Sequence, residues 1–213
     1  MTRVIPSLST ALRRYLVTDV RAGGVDELAR RCAEAIEGGM TAVQLRAKGW
    51  SDRELLAAAV RLRRLCTETG VLFIVNDRVD FALASDADGV HLGVDDLPVE
   101  VARRILGPTA IIGYSPETDD DRRTAELAGA DYLGIGPVFG TTTKPDAGAA
   151  IGLDGLRSVI ERSILPVVAI GGVTVELAVS AIEAGATGVA LVGAIFLADD
   201  PRAAAARLRE AVS

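Results

Sequence analysis

Eight short hydrophobic bursts, each followed by an amphipathic stretch, run through the chain in regular alternation. The bursts fall at residues 14–19, 41–46, 71–76, 88–92, 110–114, 131–135, 166–170 and 187–192. The segments between them read as helices near 26–37, 51–69, 79–84, from Pro98, 117–128, 153–162 and 175–184, with a helical tail over 201–212. Ser51 with Glu54 forms a capping-box pattern, and Gly38-Gly39 reads as a helix stop. Strand–helix alternation implies a parallel sheet. Eight such units in 213 residues predict a single-domain α/β protein, a closed (β/α)₈ TIM barrel. An open doubly wound sheet is the alternative, but no G-x-G-x-x-G follows the first burst. The barrel is expected over 13–213, with residues 1–12 as a loosely attached lead-in.

Composition excludes several classes. Apolar residues make up 49% of the chain and aromatics only 4%, the balance of strands buried on both faces. The net charge of −6, with no basic stripe, argues against a nucleic-acid partner. Phosphorylated small molecules remain open, since a few local cations and N–H groups suffice for them. Cys32 and Cys66 read as small buried hydrophobes without a disulfide. No span has the length and uniformity of a membrane helix, and the N-terminus lacks a signal-peptide pattern, so no membrane is expected and the cytoplasm is the expected compartment. The sequence admits a homo-oligomer without pointing to its surface.

In such a barrel, chemistry sits where the strands end. The second burst ends Gln44-Leu45-Arg46, with Lys48 just beyond, and alternation places Gln44 and Arg46 on one side with Leu45 facing the helices. The third ends Asn76-Asp77-Arg78. The fourth ends His91-Leu92-Gly93, with Asp95 and Asp96 following, and His91 reads as structural. The fifth ends Tyr114-Ser115. After the sixth, in which Gly134 is expected to let another backbone approach, comes a loop of Gly140, Thr141, Thr142, Thr143 and Lys144. Its hydroxyls, N–H groups and ammonium suit a polyphosphate. The seventh and eighth end Gly171-Gly172 and Gly193-Ala194, which leave backbone N–H groups open to phosphate. Asp77 with Asp96 can hold Mg²⁺, a hard cation that shares substrate phosphates. Arg46, Lys48, Asn76 and Lys144 can surround a diphosphate. The separate reading of Asp77 and Arg78 is a helix start whose members pair with each other. That of Asp95-Asp96 is an ordinary helix start.

The stretches YLVTD (15–19), VQLRAK (43–48), NDRVDFAL (76–83), ADGVHLG (87–93), GADYLGIGPVFGTTTK (129–144), PVVAIGG (166–172) and GVALVGAI (188–195) resemble the thiamine-phosphate synthase family nearly end to end. The resemblance implies the same barrel fold. It also implies a transferase that joins an aminopyrimidine-methyl diphosphate to a thiazole phosphate, with Mg²⁺ as cofactor. By this resemblance Gln44 contacts the pyrimidine, and Arg46, Lys48, Asn76 and Lys144 hold the diphosphate. Asp77 and Asp96 bind the metal, and Ser115 lies by the pyrimidine and leaving group. Thr141, Thr143 and the backbone at Gly172, Val192 and Gly193 hold the thiazole phosphate. Ser115, Lys144 and Arg46 are the expected catalytic residues. The chain departs from the family pattern at Val94, at Pro116-Glu117, at Gly140 and at Gly193, where a serine hydroxyl is usual. Two other readings are a related thiazole tautomerase and a non-catalytic thiamine-phosphate binder.

Overall fold

The computed structural model describes residues 7–140 and 148–212. In chain order the elements are α1 (Leu8–Ala11), β1 (Arg14–Val17), a 3-10 turn (Val20–Ala22), α2 (Val25–Gly38), β2 (Ala42–Leu45), α3 (Asp52–Thr69) and β3 (Leu72–Asn76). There follow α4 (Val79–Ala84), β4 (Gly89–Gly93), α5 (Val99–Leu106), β5 (Ile111–Ser115), α6 (Asp119–Leu127) and β6 (Tyr132–Ile135). The chain closes with α7 (Gly152–Arg162), β7 (Val167–Ala169), α8 (Val175–Glu183), β8 (Gly188–Leu191), α9 (Gly193–Phe196) and α10 (Pro201–Ala211). Every strand pairs in parallel with the next, and β8 pairs with β1, so the sheet is a closed barrel.

Strand alternation sorts the core into two layers. Leu16, Val43, Leu45, Phe73, Val75, Val90, Leu92, Ile112, Leu133 and Leu191 point outward under the helices. Tyr15, Val17, Ala42, Leu72, Ile74, Tyr132, Val168 and Ala190 fill the barrel interior. Cys32 and Cys66 are buried in the outer layer and form no disulfide, as their helical setting predicts. The Ser51–Glu54 capping box forms at the start of α3, and Gly39 ends α2 in the left-handed conformation. Among the described residues no helix is long and apolar enough to cross a membrane.

Residues 8–12 are not a loose lead-in. Ser7 caps α1 by accepting the N–H of Thr10, and Ala11 and Leu12 are sealed against the barrel interior at 1% and 0% exposure. Burying a leucine this fully contributes about 2 kcal/mol, enough to hold a one-turn helix that could not persist alone. The sequence signal failed because a single turn is too short to show periodicity. At the opposite end of the chain, α10 packs on α2, so closely that a Cβ on Gly38 would meet the Cβ of Ala205 at 2.7 Å.

Candidate active site

The C-terminal ends of the strands surround a cavity of about 1130 Å³. Gln44, Arg46 and Lys48 line it from the end of β2, and Asn76 and Asp77 from the end of β3. Asp96 and Ser115 come in from the ends of β4 and β5, and Gly172, Val192 and Gly193 from β7 and β8. Thr141, Thr143 and Lys144 lie outside the described residues, between Gly140 and Gly148, both of which border this cavity.

Local chemistry explains how each side chain arrives. Buried Thr18 locks the end of β2: its hydroxyl donates to the Arg46 carbonyl at 3.0 Å and accepts the Arg46 N–H at 2.9 Å. Its own N–H donates to the Gln44 carbonyl. Gln44 therefore points inward, Leu45 outward and Arg46 to the rim, as alternation predicts. At the end of β3 the Arg78 N–H donates to the Asn76 carbonyl at 2.7 Å, closing a three-residue turn with Asp77 at its centre and φ of 62°. The Asp77 N–H is held by the His91 carbonyl at 2.8 Å. Aspartate tolerates this left-handed backbone better than most residues.

The turn separates Asp77 from Arg78. Arg78 faces outward, where it pairs with Asp80 at 2.6 Å and Asp52 at 3.1 Å and stacks on Phe81. Asp77 faces the cavity. The reading in which the two pair with each other is thereby removed. Asp96 likewise is no helix cap: α5 begins after Pro98, which makes no side-chain cap bond, and Asp96 accepts the Gly93 N–H at 2.7 Å. Burial, then the negative charge of Asp96, push the Asp77 carboxyl up to about 6, against the opposing pull of Lys48 and Arg46. Lys48 Nζ stands 3.6 Å from Asp77 Oδ2. Among the described residues no cluster of three or more metal-ligating side chains forms. Mg²⁺ needs only one or two carboxylates where phosphates complete its shell. Two crowded carboxylates, one resisting ionisation, are a donor set that a divalent cation relieves.

The β7–β8 side is built from backbone. Gly171 and Gly172 have φ of 86° and 67°. A Cβ on Gly171 would meet Pro137 at 2.5 Å, and one on Gly172 would meet Phe139 at 2.7 Å. The Val138 and Phe139 N–H groups donate to the Ile170 and Gly171 carbonyls at 2.9 Å each, which fastens the loop after β6 to the end of β7. Gly193 opens α9, the short helix directly after β8. Glycine-rich loops after strands seven and eight, with a short extra helix, are the usual phosphate position in this fold.

Sequence reasoning missed the polar interior beneath the cavity. Tyr15 and Tyr132 stand in the sequence only as members of the first and sixth bursts, yet their hydroxyls meet at 2.8 Å inside the barrel. Tyr15 Oη accepts from Gln44 Nε2 at 3.1 Å, and Tyr132 Oη lies 3.0 Å from His91 Nδ1. His91 Nε2 lies 2.9 Å from Ser115 Oγ, and desolvation holds the imidazole down at about 4, so it is neutral at physiological pH. Gly134 admits side chains, not a second backbone: a Cβ there would lie 2.9 Å from Ser115 Oγ and 3.0 Å from His91 Cε1. The signal was present as inward tyrosines on β1 and β6 and inward glycines at 113 and 134, the first clearing space for Tyr132 and His91 and the second for His91 and Ser115.

The fold and site together define a barrel enzyme acting on phosphorylated small molecules. The chain matches the thiamine monophosphate synthase family over residues 14–195 and belongs to it. It is 47% identical to a thiamine-phosphate synthase of Moorella thermoacetica over 199 residues, covering 93% of this chain and 95% of the relative. A thiamine-phosphate synthase of Natronomonas pharaonis is 50% identical over 201 residues, covering 93% and 94%. The solved structure of a thiamine phosphate pyrophosphorylase from Pyrococcus furiosus superposes with a TM-score of 0.88 at 43% identity, covering 97% of this chain and 98% of that one.

Proposed function

We propose that this chain is a transferase that joins an aminopyrimidine-methyl diphosphate to a thiazole phosphate, releasing diphosphate and forming thiamine monophosphate. The observation that carries the reading is one cavity with two unlike anion-binding rims, in a chain of this family. Arg46, Lys48 and Asn76 on the β2–β3 rim suit a diphosphate. Gly171, Gly172 and Gly193 on the opposite rim suit a monophosphate. Lys144, Thr141 and Thr143 join these rims in the proposal, on the strength of their motif.

The reaction breaks the C–O bond to diphosphate, whose oxygen leaves with the electron pair. The electron-rich aminopyrimidine stabilises the resulting methylene cation, and the thiazole nitrogen captures it by forming a C–N bond. Gln44 orients the pyrimidine. The guanidinium of Arg46 and the ammonium of Lys48 face the charge that develops on the leaving group, where preorganised cations act most strongly. The two rims hold the partners in one cavity, so capture becomes effectively intramolecular. No strong general base is needed, which agrees with the neutral His91. Asp77 and Asp96 would hold Mg²⁺, which when bound neutralises diphosphate charge.

Diphosphate release from the purified protein, assayed with both substrates, with and without Mg²⁺, tests the reading. The expected result is release that requires both the metal and the thiazole phosphate. Absence of release from folded protein overturns it.

A further inference from the structure

The row Gln44–Tyr15–Tyr132–His91–Ser115 crosses the barrel interior and returns to the cavity at both ends. Its links, 3.1, 2.8, 3.0 and 2.9 Å long, join β2, β1, β6, β4 and β5. Tyr15 and Tyr132 are sealed at 1% and 0% exposure, where an unpaired hydroxyl is costly, so donors and acceptors must match along the row. Only two orders satisfy every link and also use both buried tyrosine protons. In one, Gln44 Nε2 donates to Tyr15, Tyr15 to Tyr132, and Tyr132 to His91 Nδ1. The imidazole then carries its proton on Nε2 and donates it to Ser115, leaving the serine proton free for the cavity. In the other, the Gln44 amide turns so that Oε1 accepts, every proton points the opposite way, and Ser115 spends its proton on His91.

A preorganised site holds, already without ligand, the order that its ligand needs. A diphosphate offers only acceptor oxygens, so a hydroxyl beside it must donate, and the amino group of the pyrimidine needs an acceptor, which Gln44 Oε1 supplies only in the first order. We infer that the row has one polarity, from Gln44 to Ser115, which holds His91 as its Nε2–H tautomer and makes Ser115 a donor toward the leaving group. Tyr15, Tyr132 and His91 are then positioning residues for the two side chains that touch substrate. The ligand part of this inference rests on the proposed function. The glycines at 113 and 134 belong to the same device: a Cβ on Gly113 would run into the Tyr132 ring and His91 Nδ1.

His91 is the only histidine in the chain, so ¹⁵N NMR of the untagged protein reads its tautomer without assignment ambiguity. The substrate-free protein at neutral pH should show a protonated Nε2 and a bare Nδ1. Tyr132→Phe keeps the ring but removes the donor to Nδ1. It should mix the tautomers and lower kcat about tenfold, with KM for the pyrimidine diphosphate nearly unchanged, the loss typical of removing an outer orienting bond. Tyr15→Phe leaves the Tyr132 donor in place and should keep the tautomer with a smaller fall in kcat; it also serves if Tyr132→Phe does not fold. A protonated Nδ1 or averaged tautomers in the wild type would overturn the polarity. So would a Tyr132→Phe protein with unchanged tautomer and kcat. The tautomer is read without substrate, so a wrong tautomer beside intact diphosphate release sinks this inference alone. The right tautomer without release supports the polarity and sinks the functional reading.

Discussion

The two rims of the cavity are built by opposite means. The β2–β4 rim uses side chains: Arg46, Lys48, Asn76, Asp77 and Asp96 project from strand ends held by bonds such as those between the Thr18 hydroxyl and the Arg46 backbone. The β7–β8 rim uses the absence of side chains, with Gly171 and Gly172 threaded against Pro137 and Phe139. The first rim can lose a functional group while the fold stands. On the second, a methyl group added at Gly171 or Gly172 disturbs the fold, while Gly193 has room for one. Function and stability are therefore expected to trade against each other on the charged rim and to fail together at Gly171 and Gly172.

The largest expected effect tests the charged rim. Asp77→Asn should lower kcat by on the order of 10²–10³-fold, the scale of losing one preorganised electrostatic group, while raising the melting temperature. Asparagine tolerates the left-handed backbone and removes the crowding of two carboxylates. The sign follows from linkage: the folded-state pKa of Asp77 is raised to about 6, so ionising it opposes folding. That penalty is absent below the unfolded value of about 4, grows between there and pH 6, and is constant above. The melting gain should accordingly be full above pH 6 and vanish in acid. A variant with wild-type kcat would remove Asp77 from the site.

The proposed metal site predicts a pH dependence through the same group. Mg²⁺ and a proton compete for Asp77, so affinity should fall as pH drops through about 6, approaching tenfold per pH unit, as titration calorimetry in metal-free protein would show. An affinity flat across this range would separate the carboxylate pair from the metal.

Gly172→Ala tests the backbone rim. Forcing an alanine into a φ of 67° costs about 1–2 kcal/mol, and contact with Phe139 adds to it. Denaturant unfolding should show that loss, and KM for the thiazole phosphate should rise in the same variant. Normal stability would mean that the loop after β6 is less tightly fastened than its hydrogen bonds indicate.

Gly193→Ser is the mildest and runs the other way. A Cβ on Gly193 meets no heavy atom within 4 Å, so the variant should fold normally. One added hydrogen bond to phosphate, about 0.5–1.5 kcal/mol, should lower KM for the thiazole phosphate about two- to thirteenfold. An unchanged KM would place the phosphate away from Gly193.

Much of this was legible in the sequence because it depends on local order. Strand–helix alternation dictates a parallel sheet, its count dictates closure, and closure gathers the strand ends at one mouth. Gln44 and Arg46 were placed on one side by period-two alternation, and Asn76, Asp77 and Ser115 were placed at the mouth because they stand where their strands end. The boundaries shifted by a residue or two where capping decided them. Thr118, not Glu117, starts α6, because its hydroxyl and the Asp121 carboxylate complete a capping box.

Tertiary structure decided what depends on contact across the barrel. Whether Asp77 pairs with Arg78 or turns to face Asp96 depends on a bond from the next strand, the carbonyl of His91. Whether residues 8–12 are tail or plug depends on an interior that exists only after all eight strands close. The hydroxyl and imidazole row depends on residues up to 117 positions apart meeting at hydrogen-bond distance. Periodicity along the chain fixes which way a side chain points; only closure of the barrel fixes what it meets there.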